Sequence, residues 1–349
     1  MPSSTSNSDA LRRWMWAGAI ALTIALCAVV ANEVHWRARG YRPSVIDSMS
    51  LWSQQRDRVY ARRRMPLVLI GASRMQLSID MPLLRELLPQ YQPVMLAING
   101  HYPLAALRDL AMDEEFHGLV LCDIDSRGFN PVYRDQPQDY IDYYRKHWTP
   151  SEHVHRVLLT AWQRHMLIAN PDFGAKADLR RWLGAGAEPW KAYVRYRRDR
   201  SGNADYSDFD TGDLAASFVN GYKRQNVLHP ALPPDRWLAQ LEPIREWVRK
   251  IQSRGGDVVF YQTPSSGALR EIVDGIYPSS SYWSPLAAAL DAHTLDYHDV
   301  PALIAFPLPD GSHPDYRSKG AYTRILVDEL SRRGWLQRDR RTTTPADAG

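Results

Sequence analysis

The chain has 349 residues, 44% of them apolar and 23% charged, with 43 Lys plus Arg against 39 Asp plus Glu. That balance suits a globular chain with a sizeable core, allows one large domain or two modest ones, and excludes disordered and fibrous architectures. A net charge of +4 is too diffuse for a nucleic-acid footprint, and two cysteines, Cys27 and Cys122, exclude a disulfide scaffold and a cysteine-rich zinc module.

Residues 1–13 read as a short N-terminal tail. From Trp14 to Asn32 no charge interrupts the chain, and at about 1.5 Å per residue a helix of that length approaches the roughly 30 Å of bilayer hydrocarbon. Trp14 and Trp16 suit an interfacial anchor. A signal peptide ending near Val29-Val30-Ala31 is the rival, but signal cores span only about 7 to 15 residues, so the expectation is an uncleaved transmembrane anchor over 14–32. Arginines flank both ends, so charge hardly decides the orientation. Long domains translocate largely regardless of local charge, which places the bulk on the periplasmic side of an inner membrane.

Residues 33–64 read as a linker. The run 66–70 is apolar at every position and ends at Gly71, as a strand buried on both faces would. A helix over 80–88 capped by Asp80, a strand over 94–98, a helix over 105–112 and a strand over 118–124 follow. Between about 131 and 240 the pattern turns helical, aromatic and irregular, which marks an insertion. An amphipathic helix over 241–254, a strand over 258–261, a helix over 284–292, a strand over 295–298 and a closing helix over 316–333 complete a domain spanning 65–335. The alternation predicts an α/β fold with a doubly wound parallel sheet, its ligands gathered at the carboxyl ends of the strands. Residues 336–349 read as a disordered tail.

Gly71-Ala72-Ser73-Arg74 stands where the first buried strand turns into a helix, a place that suits a nucleophilic serine and equally a plain turn. Asp310-Gly311-Ser312-His313 precedes the closing helix. An aspartate three residues before a histidine can fix its tautomer, leaving the other ring nitrogen to take a proton from a serine; the bland alternative is an Asx-turn beside a solvated cap. Glu152, His153 and His155 make a poor metal site, because His-x-His on a helix points its rings apart, and no metal or cofactor is expected. His298 beside Asp299 reads as structural. The basic and aromatic stretch 190–200 reads as a solvated helix, with a glycan or lipid surface as the alternative.

The Gly-x-Ser and Asp-x-x-His blocks, in that order and at those positions, resemble the SGNH or GDSL hydrolase superfamily over about 66–130 and 257–335. The resemblance implies a flavodoxin-like sheet and a Ser73, His313, Asp310 triad. It further implies an oxyanion site from the Ser73 amide and Gly100, with Asn99 as a substitute donor and Arg74 as a substrate contact. The third block departs from the family, since Cys122-Asp123-Ile124-Asp125 stands where members carry Gly-x-Asn-Asp, leaving Asn99 or Asn130 to replace the missing asparagine. The anchor and this departure resemble the envelope proteins of alginate acetylation and teichoic acid D-alanylation. In that subset an acyl group passes to or from a polysaccharide hydroxyl, beside a multispanning acyltransferase as partner. The alternative is a degenerate envelope protein that binds a glycan or a partner.

Overall fold

A computed structural model describes residues 6–60 and 63–337. The chain divides into two compact units, one of residues 1–46 and 157–192, the other of 47–156 and 193–349. In the first unit a helix Ser6–Ala38 contains an N-terminal stretch long and apolar enough to cross a membrane. The helix begins at Ser6, so residues 6–13 of the expected tail are helical. The end of the expected C-terminal tail, 338–349, lies outside the described residues.

The strands are β1 (Met65–Ile70), β2 (Tyr91–Met95), β3 (Leu119–Asp123), β4 (Val194–Tyr196), β5 (Gly202–Ala204), β6 (Asp257–Gln262) and β7 (His293–Asp296). Five of them form one parallel sheet in the order β2-β1-β3-β6-β7, and β4 and β5 pair as an antiparallel ribbon. Counted within the large sheet, the order is 2-1-3-4-5, the flavodoxin-like arrangement of doubly wound α/β folds. The apolar run of β1 follows from it. Val68 and Ile70 point to a layer holding helices Leu104–Met112 and Glu242–Gln252, while Leu67 and Leu69 point to a layer holding Met81–Leu87 and Lys319–Arg332. With both faces covered, no position in the strand can be polar without burying an unpaired group. Pro93 sits in β2, an edge strand, where its missing N–H leaves no inner ladder bond unmade.

Several boundaries differ from the expected ones for local reasons. β2 starts three residues before 94, although the amides of Leu96 and Ile98 still donate to Leu69 in β1 and to Gly71 just after it. β7 ends at Asp296 because that side chain accepts from the His298 amide and opens a short turn. The expected helix over 284–292 contracts to Leu286–Leu290, closed by Asp291 in the left-handed region.

The linker and insertion are more deeply built in than the sequence suggested. Helix Met49–Arg56 places Trp52 in the core, its indole N–H donating to the Leu96 carbonyl. Arg56 is buried and bonds Asp109 at 2.9 Å and Asp113 at 2.6 Å. Tyr144 and Trp148, two aromatic residues of the insertion, both donate to Asp57. The stretch 190–200 is not a solvated helix: it supplies β4 and a turn that buries Arg200 completely, its guanidinium paired with Asp47 at 2.7 and 2.9 Å.

Removing one partner of a buried ion pair leaves the other charge uncompensated, at about 3 to 5 kcal/mol. Arg145 stays on Asp109 at 2.6 Å, so Arg56→Ala should lower unfolding stability by the lower end of that range in denaturant titrations of the purified protein. A loss under about 1 kcal/mol, the range of exposed pairs, would contradict a buried Arg56–Asp109 bridge.

Candidate active site

β1 is followed by Gly71, whose φ of +154° and surroundings both require glycine. A Cβ there would stand 2.8 Å from the Asp123 Cβ and 3.0 Å from the Met75 Cβ. The close approach lets the chain leave the sheet beside β3 and start a six-residue helix, Ser73–Ser78, at the place where the sequence turns from strand to helix. Ser73 is its first residue and is half-buried.

From the far end of the chain, the loop after β7 brings Asp310 and His313 to the same place. His313 Nε2 lies 2.9 Å from Ser73 Oγ, and His313 Nδ1 lies 2.8 Å from Asp310 Oδ2. Both His313 and Asp310 are essentially inaccessible to solvent. Gly311, at φ +79°, makes the tight turn between them. Asp310 Oδ1 accepts from the amides of Ser312 at 2.9 Å and His313 at 2.7 Å. This is the Asx-turn that the bland reading foresaw, and it coexists with the imidazole bond. With Nδ1 donating to the carboxylate, Nε2 is left to accept the Ser73 hydroxyl proton.

A fourth side chain escaped the sequence reading. Tyr206, just after β5, donates from its hydroxyl to Asp310 Oδ2 at 2.8 Å and stacks on Tyr193 at 5.5 Å. Burial alone would push the Asp310 carboxyl up, but the bonds from His313, the Ser312 amide and Tyr206 carry it below the usual range. Burial and the neighbouring carboxylate push the Tyr206 hydroxyl up, keeping it a donor. Nothing local marks Tyr206, since its bond spans the sequence from insertion to closing loop. Phe218 rests against the His313 ring at 5.4 Å. Its helix, Thr211–Leu228, borders a largely apolar cavity of about 460 Å³ lined by Ala215, Ala216, Val219, Leu269, Leu308 and Gly311, among others.

The remaining expected residues fare unevenly. Gly100 follows β2 at φ +76° and is exposed, and the Ile98 amide bond to Gly71 sets residues 99 and 100 leaving the sheet from the strand next to the Ser73 turn. Asn99 donates to the Tyr196 hydroxyl at 3.3 Å, and Asn130 caps the turn at Val132. Arg74 is held within the chain. Its guanidinium pairs with Asp125 at 3.3 Å and reaches the Thr263 carbonyl, and although burial alone would lower its pKa, Asp125 and Asp123 hold it charged. The departed third block thus has a structural use: Asp125 holds Arg74 and caps Gly128, while Asp123 accepts from Thr263 at 2.6 Å. His298 bridges Asp296 at 2.7 Å and Asp274 at 3.2 Å, the structural role read for it. His153 turns to Asp57 and His155 to Glu152.

No protein-family model matches this chain, and no curated protein matches its sequence. Among solved structures it is similar to the crystal structure of TesA, with 12% identity over 77% of this chain and 99% of that one at a TM-score of 0.36. It is also similar to YxiM from Bacillus subtilis, with 10% identity at a TM-score of 0.34, covering 78% of this chain and 57% of that one. These likenesses are loose; the fold is defined by the strand order of the chain's own sheet.

Burial raises the Asp123 carboxyl to about 6, against the opposing pull of Arg74 and Thr263. The unfolded chain releases this proton near pH 4 while the folded chain keeps it to about pH 6, so this group's contribution to stability falls as pH rises through that window. Asp123→Asn should abolish the decline. The variant should gain on the wild type from pH 4 to 6, by on the order of 2 to 3 kcal/mol, and level off above. A stability difference that stays constant across the window would contradict the buried, proton-retaining carboxyl.

Proposed function

We propose that this chain is a membrane-anchored serine acyl-ester enzyme of the SGNH or GDSL type, moving an O-acyl group such as acetyl to or from an envelope or exported polysaccharide. The observation that carries the reading is the unbroken hydrogen-bonded file from Ser73 through His313 to Asp310, buried except at its serine end.

In this reading Ser73 Oγ attacks the acyl carbonyl as its proton passes to His313 Nε2. The Asp310 carboxylate stabilises the resulting imidazolium without itself taking the proton. Collapse of the tetrahedral intermediate expels the alcohol, which receives the proton back from His313, and leaves an acyl-Ser73. Water or a sugar hydroxyl then attacks, with His313 again as base, giving hydrolysis or transfer. The amides of Ser73 and Gly100 are the proposed donors to the oxyanion, each worth on the order of 2.7 to 4 kcal/mol where such a donor is placed well. Asn99 joins them by releasing Tyr196. Arg74, held by Asp125 next to Ser73, is the proposed substrate contact. The helix Ser6–Ala38 supports a single inner-membrane span, with the catalytic domain on the periplasmic side and the polysaccharide and a multispanning acyltransferase as partners.

A second reading, a glycan-binding envelope protein without turnover, is favoured by the third block, whose aspartates serve Arg74 and Thr263 rather than an oxyanion. The two part on a single substitution. With purified protein and a nitrophenyl acetate ester, Ser73→Ala should lower kcat/KM by about three orders of magnitude or more. Turnover equal to the wild type would refute the nucleophile. An inactive wild type that binds acetylated polysaccharide as tightly as the Ser73→Ala variant would favour the binding reading.

Tyr206 and His313 share one carboxylate oxygen. Removing the tyrosine hydroxyl leaves a buried carboxylate oxygen one donor short. Tyr206→Phe should accordingly lower unfolding stability by about 1 to 3 kcal/mol in denaturant titrations while most of kcat/KM remains. A variant as stable as the wild type would contradict the shared-oxygen account.

A further inference from the structure

The apolar helix Ser6–Ala38 ends in a polar clamp that belongs to its own unit. Asn32, the last residue before the first charge, donates from Nδ2 to the Phe173 carbonyl at 2.8 Å. The Glu33 carboxylate accepts from the Leu167 amide at 2.9 and 3.0 Å, and Arg37, bonded to Glu33, donates to the His165 carbonyl at 2.6 Å. Trp36 is buried against Leu167 and Phe173, with the Arg181 guanidinium 4.7 Å above its ring. Tyr41 donates to the Pro189 carbonyl at 2.8 Å, and Arg39 pairs with Glu188 at 3.2 Å. The segment 165–189 is therefore fastened to residues 32–41.

That clamp fixes a height. With about 1.5 Å of rise per residue, Trp36 stands about 6 Å and Ala38 about 9 Å beyond Asn32 along the helix axis. The headgroup layer on each side of a bilayer is about 5 to 8 Å deep. Whatever is bonded to residues 32–37 of a spanning helix is held at that layer.

The surface held there is unsuited to water. Helix Ala175–Trp182 buries none of its side chains. Leu179, Trp182 and Leu183 follow at i, i+3 and i+4 on one exposed face, and Trp182 is 82% and Trp190 81% exposed. Trp190 lines a concavity with Arg180 and Arg181, so the loop and the helix lie side by side. Lys176 and Arg180 are exposed among these apolar groups. An apolar, tryptophan-bearing helix face with basic neighbours is the composition of a helix lying in a membrane interface.

We propose that residues 175–190 lie in the headgroup layer of the bilayer crossed by Ser6–Ala38, with Leu179, Trp182 and Leu183 at the acyl-chain boundary, Trp190 at the outer headgroups, and Lys176 and Arg180 on the phosphates. The inference rests on the reading of that helix as a membrane span. It gives the chain a second membrane contact, which fixes the rotation of this unit about the axis of its span.

The chain carries its own control. Cys27 is exposed midway along the apolar helix, and Cys122 is buried away from reagents. Full-length protein, spin-labelled and reconstituted in vesicles of equal parts phosphatidylethanolamine and phosphatidylglycerol, is measured by power saturation with oxygen and with a nickel chelate. A nitroxide at Cys27 reports the span; nitroxides in Cys27→Ser combined with Trp182→Cys or Trp190→Cys report the proposed contact. All three should show oxygen-to-nickel accessibility ratios several-fold above free label in water, greatest at Cys27. A membrane-deep label at 27 with water-like values at 182 and 190 would overturn the contact and leave the span standing. Spin–spin broadening at 182 and 190 that vanishes on dilution with unlabelled protein, without oxygen preference, would assign the face to a second copy and equally overturn it. Water-like values at 27 would overturn the span itself.

Discussion

A carboxylate buried without solvent must have its oxygens occupied, and at Asp310 that requirement organises the site. Oδ1 takes two amides of its own turn; Oδ2 takes His313 Nδ1 and the Tyr206 hydroxyl. Four donors around one carboxylate leave the imidazole no alternative partner for Nδ1 and aim Nε2 at Ser73. Loss of any donor would leave a charged oxygen short of a partner in a low-dielectric interior, where that deficit is most unfavourable.

The parallel sheet makes this convergence possible. Every strand of the large sheet runs the same way, so every carboxyl end opens on one edge, and residues 240 positions apart meet without a long excursion. Gly71 is the local counterpart of that rule. Only a residue without a Cβ lets the chain pass Asp123 and present the next serine on a helix start. Beneath it, Asp123 and Asp125 bind Thr263 and Arg74, so the departed third block joins the end of β3 to the helix after β1 and to the loop after β6.

The sequence made legible what is local or periodic. Continuous apolar runs revealed β1, β3 and β6, and the Asp80 cap placed the start of the helix that follows it. The spacing of Asp310 and His313 identified a pair that one turn could hold. What stayed hidden depends on partners distant in the chain. Arg200 looked like a surface arginine because Asp47, which buries it, lies in a stretch that reads as linker. The pairing of Arg74 with Asp125 was not legible either, because the two side chains lie on segments 51 residues apart. Tyr206 carried no pattern at all. The ribbon of β4 and β5 was missed because strands of three residues leave too short a period to read.

The claim on which the rest depends is that the Ser73 hydroxyl is activated by an imidazole held in place by Asp310. Exposure of the intact protein to a serine-reactive phosphonate, followed by mass spectrometry of the digested chain, tests it most directly. The account predicts a single adduct on the peptide containing Ser73, formed in the wild type and suppressed in His313→Asn. An unmodified Ser73, or one modified equally fast without the imidazole, would contradict it.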